Sequence, residues 1–206
     1  MSYSKFTIER VIREFDLKLQ QVEFISHNSD ITVLQPSKYI EEYLNNSYNF
    51  ALSLGTEKAE SEFIIAPILL EVKNKFNNSV TFFSGQRFDI DVDKNLSGIC
   101  DFIFSQTQQS LYIEKPVLFV VEVKESNIKS GLGQCIAELV AAQIYNNNFD
   151  SYVYGTVTNG REWQFIRLKD NKVEINLNLI PTYPLEKIIG ILYWCVRSGS
   201  QVEPGK

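Results

Sequence analysis

Histidine is almost absent: the 206 residues contain one, His27, in the polar stretch Ser26-His27-Asn28-Ser29-Asp30. With no second histidine to join it, histidine-based triads and His-rich metal sites are excluded, and any chemistry falls to carboxylates, lysine or cysteine. Cysteine is scarce too. Cys100, Cys135 and Cys195 are odd in number, far apart and set among apolar residues, which points to buried free thiols rather than a disulfide framework or a zinc site. Positive charge is short: 20 Lys and Arg stand against 25 acids, a net charge of −5, with no Lys/Arg-rich stretch. That excludes a surface holding nucleic acid by charge alone, though not a local basic groove. No apolar run approaches the length of a membrane span, and the first residues, Met1 to Phe6, carry no apolar signal core, so the expectation is a cytoplasmic protein without a membrane partner. No low-complexity linker divides the chain. The expected organisation is one domain over 1–206, with an N-terminal helical extension over 1–54, a core over 55–158, and C-terminal strands and a helix over 159–206.

What is present is organised around one strand. An unbroken apolar run from Val117 to Val121 leads into Glu122-Val123-Lys124. A run with no polar face is a strand covered on both sides. Alternation puts Glu122 and Lys124 on one face and Val121 and Val123 on the other. A carboxylate and an ammonium therefore leave a buried sheet side by side, where desolvation has to be offset by partners or a metal.

Along the chain, the spacing of Phe6, Ile8, Val11, Ile12, Phe15, Leu17 and Leu19 predicts a short helix followed by extended chain, and Pro36 opens a helix over 37–52. Gly55-Thr56-Glu57 reads as the end of one helix and the start of the next, over 57–76, with Pro67 interrupting it. The inward stripe of that helix is predicted as Ala59, Phe63, Ala66, Leu69, Leu70 and Lys73, with Glu62 at its edge and Glu57, Glu60 and Glu71 solvated. If the phase is off by two, Glu60 takes the place of Glu62. Strands follow over 80–92 and 99–104, with Asp101 near the start of the second. If the second strand and the central one form a hairpin turning near Tyr112, Asp101 faces Val123 or a neighbour, beside Glu122 and Lys124. A loop with Gly131 and Gly133 opens a helix over 132–145, placing Gln134 and Glu138 one turn apart. Three strands at 152–158, 162–168 and 172–176 and a helix over 185–197 complete the chain, and the tail from Ser198 is expected to be loose.

Gly131-Leu132-Gly133 between a strand and a helix has the look of a dinucleotide loop, but its third glycine position is Ile136 and a Glu-x-Lys lies just upstream, which is foreign to that arrangement. Trp163 and Trp194 read as core rather than a base-stacking platform.

Helix with a glutamate, three strands carrying Asp and then Glu-x-Lys, helix, strand: in this order the chain resembles the PD-(D/E)XK nuclease superfamily. The matching residues are Asp101 and Glu122-Val123-Lys124, with Glu62 as the helix acid and Gln134 as the residue after the motif. The resemblance covers about residues 57 to 158. Cys100 stands where the motif name has proline. The segment Gly131 to Glu138 also resembles an uncharacterised group of small cyanobacterial proteins, which assigns no activity. The superfamily resemblance implies an α/β (α+β) restriction endonuclease-like αβββαβ core, a central mixed sheet flanked by helices. It implies a metal site of Asp101, Glu122, the Val123 carbonyl and Glu62, holding Mg²⁺ or Mn²⁺, with Lys124 orienting or deprotonating a water and Gln134 holding the lysine or a phosphate. The expected activity is phosphodiester hydrolysis, with DNA as the first-choice nucleic-acid partner; the acidic balance favours the alternative below, or a substrate bound in a narrow groove or by a homodimer. The alternative is a catalytically silent module of the same fold that binds nucleic acid or a protein. The plain structural account, an ion pair at a strand end and an acid in a turn, competes with both.

Overall fold

Strand β4 (Val117–Val123) is buried at every position, and the rest of the molecule explains how. In the computed structural model, which describes residues 2–26, 28–108 and 110–200, it lies inside an eight-stranded mixed sheet with helices on both faces. The strands are β1 (Lys18–Val22), β2 (Thr81–Arg87), β3 (Ile99–Ser105), β4, β5 (Val153–Thr158), β6 (Glu162–Lys169), β7 (Lys172–Asn176) and β8 (Ile180–Pro181). Their order is β1-β7-β6-β5-β4-β3-β2, with β8 beside β6. Only β1/β7 and β4/β5 are parallel. The helices are α1 (Ile8–Glu14), α2 (Lys38–Leu54), α3 (Glu57–Glu60), α4 (Ala66–Asn74), α5 (Ile128–Asn146) and α6 (Leu185–Gly199). Among the described residues no helix is long and apolar enough to cross a membrane. His27 and the tail from 201 fall outside the described residues.

Two cores sandwich the sheet. On one face Val121, Val123 and Phe102 meet Ile64, Ile68 and Leu69 of the α3–α4 region, Ile40 and Leu44 of α2, and Ile188 and Leu192 of α6. On the other, Val120 and Ile103 meet Cys135, Ile136 and Leu139 of α5, together with Tyr3, Phe6 and Val11 from the start of the chain. The first quarter thus contributes to both cores, and β1 extends the sheet. Helix, three strands, helix, strand appear in the expected order from α3 to β5. All three cysteines are buried free thiols. Trp163 and Trp194 belong to the core; the Trp163 indole donates to Thr182 Oγ1 at 2.9 Å.

Three local expectations are corrected. The strand over 80–92 ends at Arg87, and the alternating residues beyond it form a loop in which Asp89 Oδ1 accepts from the Gly98 N–H at 2.9 Å and Asp91 bridges to Leu96. Short acids satisfying loop amides outweigh the strand-like alternation. Gly131 and Gly133 lie inside α5, whose start is capped by Asn127. They serve close packing, not a phosphate loop: a Cβ at Gly131 would lie 2.7 Å from Val157 Cγ1.

The third correction is one of phase. Between α3 and α4 the helix widens into a π-turn over Ser61–Ile65, where the Ala66 N–H donates to the Ser61 carbonyl. Pro67 follows at once, and a proline crowds the carbonyl four residues earlier while offering it no N–H. That carbonyl, of Phe63, accepts from Ser47 Oγ at 2.9 Å. The extra residue in the turn rotates everything before it. The buried stripe runs through Ala59, Glu60, Ile64, Ile65, Ile68, Leu69 and Val72, while Leu70 is exposed. Glu60 and Glu71, expected in solvent, are buried, and Glu71 accepts from the Ser37 N–H and Oγ.

Candidate active site at the end of β4

Asp101, Glu122, Lys124 and Gln134 meet on the α5 face of the sheet. Phe102 pairs with Val121 and Ile103 with Val120, so Asp101 stands opposite Glu122, one residue from the Val123 that a turn at Tyr112 sets. Beside the connector Ser105 pairs with Val117, which centres the hairpin on Leu111, and a bulge between Phe104 and Ser105 moves the register one residue back toward the expected one. The β3–β4 ladder opens here. Instead of a main-chain partner, the Val123 N–H donates to Asp101 Oδ2 at 2.7 Å. The Val123 carbonyl leaves the strand on the same edge, since a residue's N–H and C=O point the same way.

Glu122 is the hub. One carboxylate oxygen accepts from Lys124 Nζ in a direct ion pair. The other accepts from Gln134 Nε2 at 2.7 Å, and the same nitrogen donates to Glu138 Oε1 at 3.1 Å. Gln134 therefore holds the glutamate rather than the lysine. The Asp101 carboxyl lies near that of Glu122, close enough for the charge of Asp101 to act on it. Glu122 is 1% exposed and Asp101 partly exposed, while the Lys124 side chain keeps 23% of its surface open. Glu122 thus lies deepest in the site, with the Lys124 ammonium nearest its mouth.

The electrostatics follow from crowding in a dry place. Burial, then the charges of Glu138 and Asp101, push Glu122 far above the usual carboxylate range, and Lys124 offsets only part of that. Burial likewise raises Asp101 against the pull of the Val123 N–H and Lys124, and raises Glu138 against its bond from Gln134. Burial lowers Lys124, but Glu122 beside it more than compensates and its pKa lies above the ordinary value. Neighbouring buried carboxyls disfavour each other's charge, which a proton or a cation relieves.

Glu62 is not brought to this cluster. It lies on the exposed side of its turn, paired with Lys58 at 2.7 Å and 53% open. The π-turn turns Glu60 inward instead, to 1% exposure, with Oε2 lacking any hydrogen-bond partner. Its neighbours tie it to the same end of the sheet: Arg161 and Gly160 on the β5–β6 turn and Glu125 just after β4. Burial raises Glu60 to about 7, with Arg161 opposing and Glu125 and Glu57 adding. Because the folded value lies above the ordinary one, the folded state keeps a proton that the unfolded chain has released. Stability is then lost as pH rises from about 4.5 to about 7. Glu60→Gln is expected to match the wild type near pH 4.5 and exceed it at pH 8 by about 1–2 kcal/mol, a few degrees in Tm; thermal melts of both proteins across pH read this.

Sequence reasoning held Glu60 only as the substitute for Glu62, with Pro67 as the signal of a disturbed helix phase, and undervalued Glu138, an acid in the middle of the long apolar run of α5. Among the described residues no three His, Cys, Asp or Glu side chains form a ready cage for an ion. The donors on offer are two adjoining carboxylates and a main-chain carbonyl, all hard oxygens. That set fits a small divalent cation that keeps several waters, and it does not fit zinc. In comparison with known proteins, no family model matches the chain and no curated sequence matches it.

Proposed function

We propose that this chain is a Mg²⁺-dependent phosphodiester hydrolase of the PD-(D/E)XK type acting on DNA. One observation carries the proposal: two neighbouring carboxyls, Asp101 and Glu122, lie at the end of an internal strand, with the partly open Lys124 paired to Glu122. Asp101, Glu122 and the Val123 carbonyl are the groups that would hold the cation, which supplies a water of lowered pKa and polarises a phosphoryl oxygen when bound. Glu60, in place of Glu62, is the helix acid turned toward this end of the sheet, beside Arg161 and Glu125.

The chain's own residues do the rest. The Val123 N–H and Gln134 pin one oxygen each of Asp101 and Glu122, so the acids are oriented before anything binds. Lys124, kept charged by Glu122, carries its ammonium at the mouth, where it donates to a phosphate oxygen or to the attacking water and meets the negative charge that develops on the phosphorus-bound oxygens. The buried floor excludes bulk water from beneath the reacting centre.

A second reading, a catalytically silent module, is favoured by the fact that Lys124 and Gln134 already occupy both Glu122 oxygens. Supercoiled plasmid incubated with the protein in Mg²⁺ or Mn²⁺ separates them. Nicking that stops on chelation supports the hydrolase; intact plasmid under every metal condition supports the silent module.

A further inference from the structure

Glu138 is an unfavourable residue for its place. It is completely buried in the α5 face of the core, among Cys135, Leu139 and Ala142, and its Oε2 receives no N–H or O–H hydrogen bond, with the buried Cys100 thiol as its polar neighbour. A buried carboxyl with an unsatisfied oxygen lowers stability, and an apolar side chain of the same length would pack there without that penalty. Its amide bond comes from Gln134, one helical turn earlier, from Nε2 to Oε1 at 3.1 Å. The other proton of that same nitrogen goes to Glu122 Oε2 at 2.7 Å.

That arrangement has a consequence for the amide. Gln134 has two N–H donors on one nitrogen and an acceptor oxygen on the other side. With both donors directed at carboxyls, the amide is held in one of its two flipped orientations and its Oε1 is turned away from Glu122. Remove the Glu138 acceptor and only the single bond to Glu122 resists rotation of the Gln134 side chain. Glu122 then loses the fixed partner of Oε2, and its carboxylate is free to turn about the ion pair with Lys124.

We propose that Glu138 is a positioning residue: through Gln134 it fixes the plane of the Glu122 carboxylate for the cation and the scissile phosphate. The inference rests on the hydrolase reading for its effect on activity, but the link from Glu138 to Gln134 is read independently of it. Partners that orient a metal-binding side chain typically change affinity or activity 10- to 100-fold when lost.

The test compares Glu138→Met, which fills the space but cannot accept a hydrogen bond, with Glu138→Gln, whose carbonyl can still accept from Gln134. Three readouts are taken on the full chain: Mn²⁺ affinity by calorimetry, metal-dependent nicking, and the Gln134 side-chain amide signal in a ¹H–¹⁵N spectrum, assigned by its loss in Gln134→Met. In Glu138→Met the amide protons are expected to move upfield and exchange faster with solvent, and Mn²⁺ affinity and nicking to fall about 10- to 100-fold, with Tm at or above that of the wild type. Glu138→Gln is expected to recover most of the affinity and to keep the amide signal near its wild-type position. An unmoved Gln134 amide in Glu138→Met, or wild-type affinity and nicking in that variant, overturns the proposal. So does a loss of activity that Glu138→Gln shares in full. If Glu138→Met does not fold, Glu138→Ala is read the same way. A wild type that neither binds Mn²⁺ nor nicks overturns the hydrolase reading, and the amide signal then decides the Glu138 link by itself.

Discussion

Asp101→Ala is expected to abolish metal-dependent nicking, with a fall of more than about 100-fold, beyond the range seen when only an orienting partner of a metal site is lost. Asp101 supplies one of the two neighbouring carboxyls and the acceptor for the Val123 N–H. Removing it leaves Glu122 as the sole carboxylate donor and frees the Val123 main chain, whose carbonyl is the third hard oxygen of the set. The fold is expected to survive. Asp101 is partly exposed, so water can replace it at the Val123 N–H, and relief of the crowding on Glu122 offsets the lost bond. Asp101→Asn sharpens the result, because its carbonyl oxygen keeps the Val123 bond while the charge is gone. Initial nicking rates at saturating Mg²⁺, with a melting curve for each variant, are the measurement. Loss of activity in both variants with melting temperatures within about 3 °C of the wild type assigns the effect to chemistry, since a shift that small is about 1 kcal/mol or less.

The largest effect on stability is expected at Gly133. Alanine is the better helix former by about 1 kcal/mol, and in an open helix the substitution would stabilise. Here a Cβ would overlap the Phe6 carbonyl oxygen and come within 2.5 and 2.7 Å of Thr7 C and Cα. Every one of those atoms is main chain, so no side chain can rotate out of the way. Either α5 or the segment from Tyr3 to Thr7 must move, and Tyr3 and Phe6 are both buried against α5. Overpacking of this kind costs about 3 kcal/mol and outweighs the propensity gain, lowering Tm by roughly 6–12 °C. Urea or thermal unfolding of Gly133→Ala measures it. A variant as stable as the wild type would show that the start of the chain is not clamped on α5 in the way described.

The site was legible in the sequence to the extent that it depends on strands. Alternation along a fully apolar strand is a two-state matter, so Glu122 and Lys124 had to share a face, and a short connector left only a narrow choice of register for Asp101. The hairpin centres on Leu111 rather than Tyr112, and the bulge at Ser105 recovers half of that offset, leaving Asp101 opposite Glu122. What depended on helix phase was not legible. Phase accumulates along a helix, and one π-turn of Ser61–Ile65 was enough to exchange Glu62 for Glu60 and Leu70 for Ile68. Gly131 and Gly133 misled for a related reason: glycine signals a loop by its backbone freedom, whereas here it is required by the absence of a side chain where two segments touch. The burial of Glu138 could not be read either, since its face of α5 is covered by residues from the first few positions of the chain, which no local pattern connects to it.

The central claim is that Asp101 and Glu122 form a divalent-cation site. Calorimetric titration of Mn²⁺ into the wild type and into Asp101→Ala tests it most directly. The account predicts saturable binding to one principal site in the wild type and its loss in the variant. No binding to the wild type, with DNA absent or present, or equal binding to both proteins, would contradict it.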